Sequence, residues 1–144
     1  MRSEPVVNQL FSPEGTLLSE TSYSQGKKNG TCRQFYATGK IYRIERFQDG
    51  KKEGLQEAFY ESGHPKTTER YVAGLREGEV VLYWPNGQLK RRLFFSNGKR
   101  NGKDECWSEG GTLVDEERYD MGKPIGVHRR WTVDGKLIEE RNHA

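Results

Sequence analysis

The chain has 144 residues, 32% of them hydrophobic and 31% charged, with a mean hydropathy of −0.99 and a formal net charge of +3. A single thick globular core is hard to build from that composition. Disorder, whose signature is low hydrophobicity with uncompensated charge, is countered by the near balance of charges and by the 11% of aromatic residues, which leaves a thin, extended structure with regularly placed apolar residues.

Residues 1–6 read as a short lead. Nothing from Met1 to Phe11 has the apolar run of a signal peptide, and no later segment approaches the ~20 apolar residues of a membrane span, so the chain reads as soluble and cytoplasmic. Residues 7–144 read as one repeat domain with a 24-residue period, divided as 7–30, 31–54, 55–78, 79–102, 103–126 and 127–144. Gly15, Gly39, Gly63, Gly87, Gly111 and Gly135 recur at that period, as do the series beginning at Gly26 and at Gly30, and only Gly110 stands outside them. Three side-chain columns keep the same register. Phe11, Phe35, Phe59, Tyr83, Trp107 and Trp131 form the first. Leu17, Ile41, Pro65, Leu89, Leu113 and Leu137 form the second. The third is Tyr23, Phe47, Tyr71, Phe95 and Tyr119, with His143 in last place. A constant period of this size means an array of like units.

Each unit reads as two strands. In 79–102, the β-forming run VVLYW meets PNG, QLKRRLFF follows, and SNGKRNG closes the unit as a longer glycine turn. Glycine recurs too often for helix, and no 3.6-residue apolar period is present. Twelve strands in succession predict an elongated all-β antiparallel meander of six hairpin repeats, roughly 55 Å across at ~4.8 Å per strand. A parallel solenoid is the alternative; glycine turns half a repeat apart favour hairpins.

Alternation places the three columns on one face as a continuous packed stripe. Tyr36, Tyr60 and Trp84 fall on the other parity. They either cover the second face or form a binding patch, flanked by Arg46 and Arg70 on the same face. Lys27, Lys28, Lys51, Lys52, Arg76, Lys99, Arg100 and Lys123 fall between the glycines of the longer turn. They predict a basic edge, solvated or attractive to acidic protein or lipid headgroups. Interleaved glutamates and a net charge of only +3 argue against nucleic acid.

No catalytic constellation emerges. His64, His128 and His143 lack metal-ligand spacing, and neither a nucleophile motif nor a phosphate loop occurs, so no catalytic, cofactor-binding or metal-binding residue is assigned. Cys32 and Cys106 lie three repeats apart, roughly 29 Å in a meander, too far for a disulfide and consistent with a reducing compartment.

The segments YSQGKKNGTCRQFYATGKI, FQDGKKEGLQEAFYESGHP, YVAGLREGEVVLYWPNGQL and FSNGKRNGKDECWSEGGTL, from Tyr23, Phe47, Tyr71 and Phe95, resemble the MORN-repeat variant family. The better-known MORN repeat has a shorter period and a GxG core absent here. Pro65, Leu75, Pro124 and the doubled Gly110-Gly111 depart from the pattern. The variant repeat is similar to YwqK-type antitoxins and to immunity proteins paired with secreted bacterial toxins. The resemblance implies a non-catalytic module that neutralises a cognate toxin by direct binding. A scaffold or membrane-surface adaptor using the basic edge is the alternative. The uncharged strand Val6–Phe11 is the edge expected to take part in self-association or strand addition, whereas Lys136, Glu139, Glu140 and Arg141 guard the other edge.

Overall fold

The computed structural model describes residues 5–143, so all but two residues of the expected 1–6 lead, and the last residue of the sixth repeat, lie outside the described residues. Fourteen strand segments form one antiparallel sheet: β1 (Val6–Phe11), β2 (Leu17–Ser24), β3 (Lys27–Phe35), β4 (Ile41–Gln48), β5 (Lys51–Lys52), β6 (Gly54–Phe59), β7 (Pro65–Val72), β8 (Leu75–Arg76), β9 (Gly78–Tyr83), β10 (Leu89–Ser96), β11 (Lys99–Trp107), β12 (Leu113–Asp120), β13 (Lys123–Trp131) and β14 (Leu137–His143). β5 and β8 are detached first turns of the strands that β6 and β9 continue. Twelve strands therefore cross the sheet in chain order, as an up-and-down meander, and no helix occurs among the described residues.

Two turns alternate along the array. In one, the backbone N–H of Ser12, Tyr36, Tyr60, Trp84, Ser108 or Thr132 donates to the carbonyl four residues on, at 2.8–2.9 Å. The other closes in two residues, both at positive φ, as at Gln25 (52°) and Gly26 (78°). That conformation matches the right-handed twist of the strands it joins. The sequence had suggested a longer turn here. Instead the second glycine, Gly30 at φ 93°, sits inside β3 at a bulge where the register slips between Thr21 and Tyr23, and a Cβ there would come 3.4 Å from Ser22 Oγ. Lys27 and Lys28 thus open a strand and do not belong to a turn.

The sheet is one layer thick. It exposes 9336 Å², where a compact monomer of 16.6 kDa exposes about 7,600 Å². The expected apolar stripe on one face does not form: Gly30, which pairs with Phe47, and Phe35, which pairs with Ile41, are an odd number of residues apart on β3, so the third column faces opposite to the first two, and burial is not uniform. Of its three columns only Tyr71 is buried, while Phe11, Ile41 and Leu137 are exposed. The most buried positions form a column that is chemically mixed: Cys32, Gln56, Val80 and Asp104, each 4–7% exposed. Strand pairing explains this. Asn8↔Thr21, Thr21↔Cys32, Cys32↔Glu45, Gln56↔Glu69, Val80↔Leu93, Leu93↔Asp104, Asp104↔Glu117 and His128↔Arg141 form a transverse row with one residue from each strand. The row runs along the midline of one face, where long side chains from both sides fold over it. Apolar residues occupy it only at the centre, Val80 and Leu93.

Candidate functional site

On the face that carries this midline row, each buried polar group has a specific partner. Gln56 inserts its side-chain amide into the gap between β4 and β6. Its Oε1 accepts from Arg46 N at 2.7 Å and its Nε2 donates to Arg46 O at 3.0 Å, so it replaces a peptide unit of the ladder. Asp104 receives both Arg91 Nε (2.9 Å) and Nη2 (2.6 Å), and that hydrogen bonding holds the Arg91 guanidinium above its ordinary pKa. Cys32 Sγ contacts Thr21 Oγ1 at 3.2 Å. Between these groups lie shallow hollows. One is floored by Val80, Leu82, Leu93 and Phe95 and rimmed by Glu69, Arg76, Arg91 and Arg100.

A second ladder on this face uses the basic residues. Lys28 lies over the Phe47 ring at 5.1 Å, Lys52 over Tyr71 at 5.1 Å, Arg76 over Phe95 at 5.5 Å and Arg100 over Tyr119 at 4.9 Å. Each ring sits opposite a glycine of the preceding strand (Phe47↔Gly30, Tyr71↔Gly54, Phe95↔Gly78, Tyr119↔Gly102), where the missing Cβ leaves it room. At partly exposed sites such pairs are worth about 0.5–1 kcal/mol each. The expected basic edge is therefore divided: Lys27, Lys51, Lys99 and Lys123 stay exposed at the strand starts beside the turns, whereas the second basic column stacks on rings. Charge counting along the sequence cannot separate the two, because only the pleat does.

Of the side chains proposed from sequence as a partner patch, the three aromatics lie four residues beyond Cys32, Gln56 and Val80 on strands whose alternation is unbroken, and so share the midline face. Tyr36, Tyr60 and Trp84 stand one repeat apart, half-buried. Tyr36 packs edge-on to Tyr42 at 5.2 Å, Lys66 lies over Tyr60 at 5.6 Å and Lys90 over Trp84 at 4.6 Å. Their polar atoms bridge repeats: Tyr36 OH donates to Phe59 O (2.7 Å), Tyr60 OH to Tyr83 O (2.6 Å) and Trp84 Nε1 to Trp107 O (3.0 Å). These residues thus help to cover the face and also present rings at its surface. Arg46 and Arg70 do not join them: each follows a midline residue, Glu45 or Glu69, by one position and so points to the other face, contrary to the sequence expectation. Arg46 pairs with Glu57 at 3.0 Å, and Arg70 is exposed.

Candidate chemical groups are few. Burial pushes the Cys106 thiol up, the opposite of what a nucleophilic cysteine needs, and both cysteines are free thiols. The histidines depart from the sequence reading. His64 lies in a turn, but His128 and His143 converge with Glu117 so that one ligand atom from each lies within 4.8 Å of the others. Linear spacing misses this because the residues sit on three successive strands. The repeat columns reveal it once the strands are laid side by side.

These features define a single-sheet β-repeat protein in which most side chains serve the joint between one repeat and the next. Residues 28–49, 52–73 and 76–99 each match the model of the MORN repeat variant. Each matched segment opens on a stacking cation and runs past the ring that the cation covers, so the match follows the structural unit. No curated protein matches the chain.

The bridging hydroxyls give a direct test. Tyr60→Phe keeps the ring and removes one part-buried hydrogen bond, and it is expected to lower stability by about 0.5–1.5 kcal/mol in urea denaturation. An unchanged midpoint would show that the hydroxyl contributes nothing to the joint.

Proposed function

We propose that the chain is a non-catalytic protein-binding module whose partner is a bacterial toxin or secreted effector, neutralised by direct binding. The MORN-variant repeat match supports a repeat-based binding module, and the resemblance of the repeat sequence to antitoxins and immunity proteins suggests the partner class. One observation supports it above all: the central repeats align Tyr36, Tyr42, Tyr60 and Trp84 in a half-exposed aromatic strip with Lys66 and Lys90 beside it. Tyr, Trp and Arg are the residues that anchor interfaces. A standard interface of ~800 Å² per partner needs under a tenth of this surface. The adaptor alternative is weaker, because only one of its two basic columns stays free at the turns.

Production in cells together with the toxin encoded beside this gene is the test. The paired substitution Lys66→Glu and Lys90→Glu touches none of the bridging hydrogen bonds. It should abolish both protection and co-purification at an unchanged melting temperature. Full protection by the double variant would remove the strip from the account.

The exposure pattern favours a second contact, a chain-to-chain or strand-addition contact through β1. All six of its residues are exposed, including Val6 (57%), Val7 (51%), Leu10 (61%) and Phe11 (52%), and it pairs only with β2 among the described residues. An uncharged edge of this kind invites strand pairing. Sedimentation at rising concentration should show dimers that Asn8→Lys reduces. A monomer at every concentration, in wild type and variant alike, would exclude it.

A further inference from the structure

The C-terminal end departs from the earlier repeats at two positions on the midline face, where His128 and His143 join a glutamate that also occurs in earlier repeats. The equivalent trios, one residue from each of three successive strands, are Thr21, Cys32, Phe47; Glu45, Gln56, Tyr71; Glu69, Val80, Phe95; Leu93, Asp104, Tyr119; and Glu117, His128, His143. Only the last carries a metal-ligating side chain at every position. Glu117 and His143 are 26 residues apart in the chain, yet Glu117 Oε1 stands 3.2 Å from His143 Nε2 and 3.9 Å from His128 Nδ1. Around a tetrahedral zinc ion with bonds of 2.0–2.1 Å, ligand atoms lie about 3.3 Å apart, so small side-chain rotations close the set.

Neighbouring groups orient these ligands. Asp115 Oδ1 holds His128 Nε2 at 3.0 Å, which turns Nδ1 toward Glu117. The Tyr119 hydroxyl donates to Glu117 Oε2 at 3.0 Å and leaves Oε1 free for a cation. A carboxylate on the outer nitrogen of a ligating histidine is the usual support of such a site. His143 takes the place of the aromatic ring, opposite Gly126, where side-chain room is greatest.

The local charges agree. In four earlier repeats a Lys or Arg covers the ring at this position and would repel a second cation. Here the equivalent residue is Pro124. The remaining arginines are engaged: Arg130 with Asp115 (3.5 Å) and Glu139 (3.4 Å), Arg141 with Glu139 (2.6 Å), and Arg100 with the Tyr119 hydroxyl (2.8 Å).

We propose that Glu117, His128 and His143 bind one zinc-class divalent transition-metal ion, with Asp115 and Tyr119 as positioning residues, and that the ion ties edge strand β14 to β12 and β13. Two imidazoles and one carboxylate suit zinc, cobalt or nickel, whereas magnesium and calcium require oxygen ligands. The fourth tetrahedral position is left for water.

The test uses the full chain without an affinity tag. Calorimetry with zinc chloride should show one ion per chain, zinc should raise the melting temperature, and cobalt should give the visible bands of tetrahedral coordination. Asp115→Asn should weaken zinc binding about 10–100-fold. His143→Ala, at the last strand where truncation leaves the array intact, and Glu117→Gln should each abolish stoichiometric binding and the thermal shift. His64→Ala should change neither. The proposal is overturned if wild type binds no stoichiometric zinc, if magnesium stabilises it equally, or if the His143 and Glu117 variants bind zinc like wild type.

Discussion

A sheet one layer thick has no opposing layer on which to bury a face, so each stabilising contact must come from an adjacent strand or an adjacent repeat. Here those contacts recur at fixed intervals. Tyr36 reaches Phe59 as Tyr60 reaches Tyr83. Asn29 accepts from the turn amide of Asp49, Glu53 from Ala73, Glu77 from Asn97 and Asn101 from Met121, at 2.6–3.2 Å. Those amides belong to non-glycine residues at positive φ, a conformation of some cost that the side-chain acceptor from the preceding repeat offsets. The N–H of Gly50, Gly74, Gly98 and Gly122 donates to the carbonyl of Lys28, Lys52, Arg76 and Arg100. A single inserted residue would misalign all of these ladders together, which accounts for the unbroken 24-residue register.

Much of this was legible in the sequence because the period is strict. Glycine spacing defined both turns, the number of strands and their antiparallel order. What stayed hidden depends on the pleat and on bulges. The buried midline was invisible because Cys32, Gln56, Val80 and Asp104 share no polarity; each is buried by position and satisfied by a different partner. The basic pairs looked like turn residues because Gly30 and its equivalents were assigned to the turn, when they serve the bulge. The rings of Tyr36, Tyr60 and Trp84 stood out as a column, but their face and their hydrogen bonds to the next repeat depend on bulges and on a carbonyl placed 23 residues away.

The two ends lack one neighbour each, and much of the apolar exposure collects there: Val6, Val7, Leu10 and Phe11 on β1, and Val133, Leu137 and Ile138 in the last repeat. Terminal units of repeat arrays need capping. Charged residues on β14 serve that end in part, and a metal bridge from His143 to the two strands before it would serve it further. The central repeats, joined on both sides, form the rigid surface on which the proposed partner would sit.

If the array is held by nearest-neighbour ladders, one repeat is removable. Excision of residues 55–78 brings Lys52 over Phe95, Glu53 onto the Asn97 amide and Tyr36 onto Tyr83 O, each in the geometry now made with the excised repeat. The measurement is the amide spectrum of the shortened chain by NMR. The account predicts an all-β protein in which the resonances of residues 7–30 and 103–143, which do not touch the excised repeat, keep their positions. An unfolded chain, or shifts spread through both of those segments, would contradict it.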